Sequence, residues 1–406
     1  MSRYFSTARI SLLDIRTHWD PLLHSSNTRS TTFRSGSTFD VYSIPQPPCL
    51  FPLTIKAVKS QPGEGLAIEE VSLSTSLAPY EVLVKTRAVG LNPTDWKHSI
   101  GMWGDAGFVV GCEGAGDVVA VGSEVKHVQV GDRVGCLLVW HPGTKRTVHS
   151  HGIRSIQLLV CVEAPGGHVL RGSCVVPDVP ISPPCRSLYF RHDLPYPSTV
   201  KSGTSPKEDI LIWGGSTAVG LHAIQLAHLS GQRVIAIASA RNHEFLKSIG
   251  ADVAIDYEDE DVVKQIRDSL DGLPLKRAID TVCEKGSTHH VIDAIDPEGG
   301  YVTTTLPVDD ETSSRRAQVK VEFVLDTPIK FAKVLPMPSV PEDNERAQAW
   351  NAHEQSAIGD GLVEGKGSKC GYTTQKLRVG EGLEDVMEGV KIMKRGAYGE
   401  DKLFLF

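Results

Sequence analysis

Gly214, Gly215, Ser216, Thr217, Ala218, Val219 and Gly220 follow directly on the apolar run Ile210-Leu211-Ile212-Trp213 and lead into Leu221-His222-Ala223-Ile224-Gln225-Leu226-Ala227. A buried strand, a glycine turn and an apolar helix, in that order, are suited to holding an anion. The first amides of a helix have no acceptor within it, and the helix dipole places partial positive charge at that end. A diphosphate seated there gains from both. The spacing fits G-x-G-x-x-G as Gly215-x-Thr217-x-x-Gly220, with a threonine at the middle position. The first glycine is expected to permit the tight turn, and the last to let helix and strand approach closely. The Thr217 side chain is expected either to push the diphosphate outward or to give it a hydroxyl.

A second group with chemistry lies one strand further on. Gln232 to Ala238 is apolar and β-branched, at the distance expected for the second strand of a βαβ unit. A nucleotide without a 2′-phosphate is usually met here by Asp or Glu, which accepts from the ribose hydroxyl. This chain instead has Ser239, Arg241 and Asn242. A hydroxyl and a guanidinium suit a 2′-phosphate, because Arg makes charge-assisted bonds to phosphate oxygens. The expected cofactor is therefore NADPH rather than NADH. The plainer reading of Arg241 is a solvated arginine at a helix start. Tyr257 is expected either to flank the adenine or simply to pack.

These groups need elements to position them. Residues 243–248 read as a helix stopped by Gly250, and Val253 to Tyr257 as a third strand. Val262 to Leu270 is amphipathic, Arg277 to Val282 a fourth strand, and Gly299 to Thr305 a fifth after a further helix. Strands alternating with helices imply an α/β fold with a doubly wound parallel sheet and ligands at the carboxyl ends of its strands. Ahead of this, Ile55 to Val58, Glu81 to Ala88 and Gly116 to Val121 are short β-rich runs with turns at Gly122-Ser123 and Gly131-Asp132, as a small barrel requires.

Taken in order along the chain, these motifs resemble the medium-chain dehydrogenase/reductase superfamily, in its zinc-free branch of quinone-oxidoreductase-like and trans-acting enoyl reductases. The matching stretches are Gly90 to Lys97, Gly111 to Asp117, Val130 to Val134, Trp213 to Gly220, Lys247 to Asp252 with Asp256-Tyr257, Ala278 to Asp280, and Gly389 to Gly396 with Lys402-Leu403. The resemblance covers Leu53 to Cys136 and about Leu188 to Phe406, and is weak near Val308 to Ala357. It implies an N-terminal, partly open, GroES-like β-barrel domain on the substrate side and a Rossmann domain for the cofactor, with the last strand returning to the barrel. The boundaries expected are an N-terminal extension over 1–50, the barrel domain over 51–187, the Rossmann domain over 188–345, and the return over 346–406.

Zinc-bearing relatives would carry Gly-His-Glu where this chain has Gly111-Cys112-Glu113. A catalytic zinc takes three protein ligands and an open position. Cys112 has no evident partner set, and the eight cysteines are scattered. His141, His149, His151 and His168 are irregularly spaced among Pro and Gly and read as loop residues. No metal is expected. The chemistry left is hydride delivery to an activated C=C bond in an enone, enoyl thioester or quinone. The protein must then stabilise an enolate and see it protonated. Lys97 is the best donor candidate, either to the carbonyl oxygen or to a phosphate-bearing acyl carrier arm, and the Asn92 amide is the second. Asp95 is expected to cap a helix rather than to catalyse.

With 406 residues the chain has room for two domains and a sizeable core. A formal charge of −7 argues against nucleic acid or an anionic membrane as the main partner. No apolar run approaches the roughly 18 to 20 residues of a membrane span. The expected partner is a small-molecule substrate, carried by a polyketide synthase if the enzyme acts in trans; monomer and homodimer both remain open. Residues 1–50 hold five Arg, no Lys, no Glu and fifteen Ser or Thr. That composition suits a mitochondrial transit peptide or a disordered tail, and a cytoplasmic location goes with the second. Residues 137–185 break the family pattern with dense proline. They have the composition of out-of-frame or intron-derived sequence, with the pattern resuming near Leu188. If they belong to the protein, the cofactor pocket loses part of a wall; the alternative functions are an NADPH-binding pseudoenzyme and, should a metal be held after all, a zinc alcohol dehydrogenase.

Overall fold

Four successive apolar residues, Ile210 to Trp213, bury both faces of a strand, and this strand lies inside the parallel sheet. The computed structural model describes residues 54–63, 65–72, 77, 79, 81–100, 107, 109–125, 128–137, 156–157, 183–200, 208–324, 377–395 and 402–405. Residues 1–50, most of 137–185 with its four histidines, and 325–376 lie outside them, so the expectations for those stretches do too.

The barrel side comprises β1 (Thr54–Gln61), β2 (Gly65–Ser72), β3 (Glu81–Gly90), α1 (Pro93–Ser99), β4 (Glu113–Val121), β5 (Arg133–Leu137) and β6 (Ile156–Gln157). After a π-helical turn at Arg186–Arg191 come β7 (Asp209–Trp213), α2 (Ala218–Leu229), β8 (Arg233–Ile237), α3 (His243–Ser248), β9 (Val253–Ile255), α4 (Val262–Asp268) and β10 (Arg277–Asp280). They are followed by α5 (Ser287–Ala294), β11 (Gly300–Thr304), α6 (Asp310–Ser313) and β12 (Val319–Phe323). The chain closes with β13 (Leu377–Gly380), α7 (Gly382–Lys394) and β14 (Lys402–Leu405).

Strands β7 to β12 form one parallel sheet in the order β12-β11-β10-β7-β8-β9. The alternation of side chains divides its core into two layers. Ile210, Ile212, Val234, Ala236 and Ile279 face α2, α3 and the π-helical turn, packing with Leu188, Tyr189, Ile224, Leu226 and Leu246. Leu211, Trp213, Ile235, Ile237 and Ala278 face the other way, onto Val262, Ile266, Val291 and Ile292 of α4 and α5. A parallel sheet covered on both faces needs strands that are apolar throughout, which is what β7 supplies. The strand order reverses between β7 and β10, and ligands of such sheets bind at that switch point.

The second sheet runs β13-β14-β3-β4-β5, with β6 also pairing β3, and β1-β2 is a separate antiparallel hairpin. The chain end does return to the barrel side: Phe404 pairs with Gly90 and Leu405 with Val89. Helix α7 buries Val386, Val390 and Met393, spaced to share one face, against Val58 of β1 and Leu91, with Trp96 of α1 at the margin. This packing seats α1, the short helix that carries Lys97.

Five strands were not marked out by the sequence pattern: β2, β5, β6, β12 and β13. In β2 the pair Glu69-Glu70 interrupts the apolar alternation. Lys59 Nζ across the hairpin meets Glu69 Oε2 at 2.8 Å, and Gln61 Nε2 donates to its other oxygen at 2.7 Å.

Candidate functional site

The turn between β7 and α2 is held by its own backbone and by two neighbouring strand ends, those of β8 and β10. The amides of Gly214 and Gly215 both donate to the Ile237 carbonyl, at 3.0 and 2.9 Å. Gly214, not Gly215, is the left-handed residue, with φ of 81°. The tight turn expected at Gly215 is therefore made one residue earlier. A Cβ on Gly214 would also fall 2.4 Å from Thr281 Oγ1. Gly220 permits the close approach of helix and turn, since a Cβ there would lie 2.2 Å from the Gly214 carbonyl oxygen.

Thr217 is the N-cap of α2, and its hydroxyl accepts from the Gly220 amide at 2.9 Å. Its oxygen lies 2.8 Å from Thr281 Oγ1, which in turn donates to the carbonyls of Trp213 and Gly214 at 2.9 and 3.1 Å. Thr281 has a single proton to share among these oxygens, and either hydroxyl can be the donor of the pair. The Thr217 oxygen thus also serves the loop itself, and the Thr217 amide is bound to Gly214 O at 2.9 Å. The anion-binding capacity rests on the half-buried stretch Ser216, Ala218 and Val219, because the first-turn amides of α2 have no acceptor inside their own helix. Thr281 was not foreseen; its only sequence signal is that it directly follows the β10 run.

At the carboxyl end of β8, Ser239 and Tyr257 come together, with Ser239 Oγ donating to Tyr257 Oη at 3.4 Å. Tyr257 is 46 % exposed. Arg241 is exposed on the short turn Ala240–Asn242, while Asn242 is enclosed and precedes α3. Asp256 is close by, but its two oxygens accept from the amides of Ala240 and Glu258, at 2.9 and 3.0 Å. Its charge is thus met by backbone dipoles on the side where Arg241 stands.

The barrel side contributes α1. Pro93 opens the helix, the Asn92 amide donates to Asp95 Oδ2 at 2.7 Å, and the Asp95 amide returns a bond to Asn92 O at 2.9 Å. Asp95 is a helix-start group, as its position in the sequence suggests. Asn92 and Lys97 are both buried. Asn92 Nδ2 donates to Cys112 Sγ at 3.3 Å, which leaves its second amide proton available. Lys97 Nζ donates to Glu284 Oε1 at 2.9 Å. Glu284 follows β10, so the lysine of the barrel side reaches the carboxyl end of the parallel sheet.

Asp280, fully buried at the end of β10, organises the loop that carries Glu284. It accepts from the amides of Val282 and Cys283 and from the hydroxyls of Ser287 and Thr288, at 2.7 to 3.0 Å. Cys283 turns its thiol onto the Asp280 carbonyl at 3.1 Å. Burial, helped by the Asp280 charge, pushes that thiol up to about 12, too high for a nucleophile near neutrality.

Among the described residues no group of three or more His, Cys, Asp or Glu is placed to hold a metal ion. Cys112, where zinc-bearing relatives would have histidine, is instead the acceptor of an amide. This donor set does not fit zinc. A dinucleotide fits: the turn has the glycine-permitted close approach, and the free first turn of a helix lies at a topological switch point.

Residues 78–173 match the family model of the alcohol dehydrogenase GroES-like domain, and residues 218–329 that of the zinc-binding dehydrogenases. The first match runs well into the proline-dense stretch. Trans-enoyl reductase mpsG of Macrophomina phaseolina (strain MS6) is 32 % identical over 357 residues, covering 84 % of this chain and 95 % of that protein. The crystal structure of CurK enoyl reductase superposes with a TM-score of 0.61 at 18 % identity, covering 86 % of this chain and 98 % of that one. Escherichia coli quinone oxidoreductase complexed with NADPH does so at 0.59 and 17 %, covering 87 % and 100 %. With its barrel, its parallel sheet and these relatives, the chain belongs to the medium-chain dehydrogenase/reductase superfamily, in its zinc-free branch.

Proposed function

We propose that this protein is an NADPH-dependent reductase of activated C=C bonds, acting on an enone, enoyl thioester or quinone. One observation carries the reading: Lys97 from the barrel side is hydrogen-bonded to Glu284, on the loop beside the diphosphate turn, so a cationic donor stands at the carboxyl end of the nucleotide sheet. The trans-enoyl reductase relatives and the NADPH-bound neighbour support it. No helix among the described residues is long and apolar enough to cross a membrane, which is compatible with a cytoplasmic enzyme.

Ser216, Ala218 and Val219 would hold the diphosphate, Gly214, Gly215, Thr217 and Gly220 would shape its seat, and Ser239, Arg241, Asn242 and Tyr257 would form the adenosine end. When bound, NADPH supplies a hydride to the electron-poor carbon. Lys97 has two ammonium protons beyond the one given to Glu284, and these can meet the developing enolate oxygen. The remaining Asn92 proton is a second donor. Both groups are buried, where a hydrogen bond to developing charge is worth more than in water. A substrate tethered to an acyl carrier of a polyketide synthase is the alternative use of the Lys97 protons, which would then meet the phosphate of the carrier arm instead of the enolate oxygen.

The test is a fluorescence titration with NADPH beside a steady-state screen of NADPH oxidation against enones, quinones and enoyl thioesters. Binding with turnover of at least one class is expected. Binding without turnover on any acceptor would replace this reading with the pseudoenzyme, and absence of binding would remove both.

A further inference from the structure

Glu284 has no role in the chemistry described so far, yet its surroundings are built with care. The loop from Thr281 to Gly286 is stapled at both ends by Asp280, whose carboxylate takes two amides on one side and two hydroxyls on the other. Between the staples Cys283 and Lys285 adopt left-handed backbone, with φ of 56° and 55°, and Gly286 follows at 80°. Non-glycine residues hold that conformation only where the surroundings impose it, and such positions gather at functional sites. The outcome here is that Glu284 projects from the parallel sheet to the barrel side. Its side chain is 49 % exposed while that of its partner Lys97 is 6 % exposed. With Lys97 buried, the carboxylate is what compensates its charge there, and the loop holds that carboxylate in place.

We propose that Glu284 is a positioning residue, which fixes the Lys97 ammonium at the mouth of the diphosphate turn so that its remaining protons point at the acceptor. The lysine stem is long and has several rotatable bonds. The Trp96 ring, 5.5 Å from Nζ, gives it a second side. The carboxylate supplies the direction. Because the loop begins at Thr281, whose hydroxyl is bonded to Thr217 and Gly214, the lysine is referenced to the same turn that seats the diphosphate. The inference rests on the reading that Lys97 serves an activated acceptor.

The experiment compares Glu284→Ala and Glu284→Gln in wild-type and Lys97→Met backgrounds. In the wild-type background Glu284→Ala is expected to lower kcat about tenfold with the NADPH KM within twofold, and Glu284→Gln to lose less, since the amide oxygen still accepts. In the Lys97→Met background Glu284→Ala should change the residual rate by less than twofold. An equal loss in both backgrounds, or a raised NADPH KM with kcat unchanged, would overturn the proposal. A second readout needs no turnover: the rate at which N-hydroxysuccinimidyl acetate modifies the Lys97 amine, followed by peptide mass spectrometry. Glu284→Ala should raise it at least threefold, and an unchanged rate would overturn the pairing. If wild-type protein reduces no acceptor while the labelling responds, the functional reading has failed and the placement of Lys97 by Glu284 has not.

Discussion

Thr217 and Thr281 meet hydroxyl to hydroxyl at 2.8 Å, joining the N-cap of α2 to the end of β10. The bond is one link in a chain that starts at the Gly220 amide and ends on the Trp213 and Gly214 carbonyls. Thr217→Val strands the Gly220 amide, and Thr281→Val removes the second donor from the Trp213 and Gly214 carbonyls, each of which keeps a backbone amide. Each is expected to cost about 1 kcal/mol, the scale of one neutral hydrogen bond. Because the two act in series, the double variant should lose clearly less than the sum. Urea unfolding of the four proteins measures this, and strict additivity would show the hydroxyls to be independent.

The glycines of the turn should not be equivalent. An alanine at Gly220 puts its Cβ 2.2 Å from a backbone oxygen, which cannot move without opening the turn. At Gly215 the nearest atoms are side-chain carbons of Leu246, Ala236 and Ile224, at 3.1 to 3.2 Å. Overpacking against yielding side chains costs about 1 to 3 kcal/mol, whereas Gly220→Ala must distort the turn itself. Calorimetry with NADPH should find binding weakened by at least tenfold in Gly220→Ala and by less in Gly215→Ala. The reverse order would mean that helix and turn are not packed as described.

What could be read in advance followed from local rules. Ile210 to Trp213 announces itself because a strand buried on both faces must be apolar at every position. Gly214 to Gly220 announces itself because tight turns need glycine. Strands β2 and β12 were obscured by charges that become sensible only across a sheet. Glu69 is answered by Lys59 from the neighbouring strand, and Lys320 and Glu322 of the edge strand β12 lie 3.0 Å apart on one face. The site shows the same limit. Lys97 stood out by its motif, but its partner Glu284 is 187 positions away and Thr281 lies 64 from Thr217. No local pattern encodes those pairings; the strand order β10-β7 brings Thr281 to Thr217, and α1 of the barrel side brings Lys97 to Glu284.

Arg241 carries the case for a 2′-phosphate. It is exposed, beside Ser239 and Tyr257, and the Asp256 carboxylate nearby is already occupied by two amides. A hydrogen bond to a charged group is worth about 1.5 to 3 kcal/mol, and exposure places this one at the lower end. Arg241→Ala should therefore raise the NADPH KM about tenfold while leaving the NADH KM within twofold. Steady-state kinetics with both nucleotides reads the ratio. If the ratio does not move, Arg241 is a solvated helix-start residue and the preference lies elsewhere.

His192 gives the fold a definite acid sensitivity. It is buried under β11, with Nε2 3.1 Å from Thr303 Oγ1 and its ring against Tyr301. Burial, with the Arg277 charge adding to it, lowers its pKa to about 3. In the unfolded chain it returns to about 6.5. Between those values the unfolded state binds a proton that the folded state refuses, so stability falls as pH falls below about 6.5 and levels off above it. The limiting slope for one such group is about 1.4 kcal/mol per pH unit. His192→Gln keeps a partner for Thr303 without the titration. Its unfolding free energy should be lower than wild type at pH 7.5, but the gap should narrow by about 1 kcal/mol or more by pH 5.5. Urea unfolding at the two pH values measures the gap. A gap that stays constant would mean that His192 takes up its proton as readily in the folded protein as in the unfolded chain, and its packing against Thr303 and Tyr301 would then need a counter-charge that Glu322, committed to Arg191, Lys320 and Tyr301, is poorly placed to give.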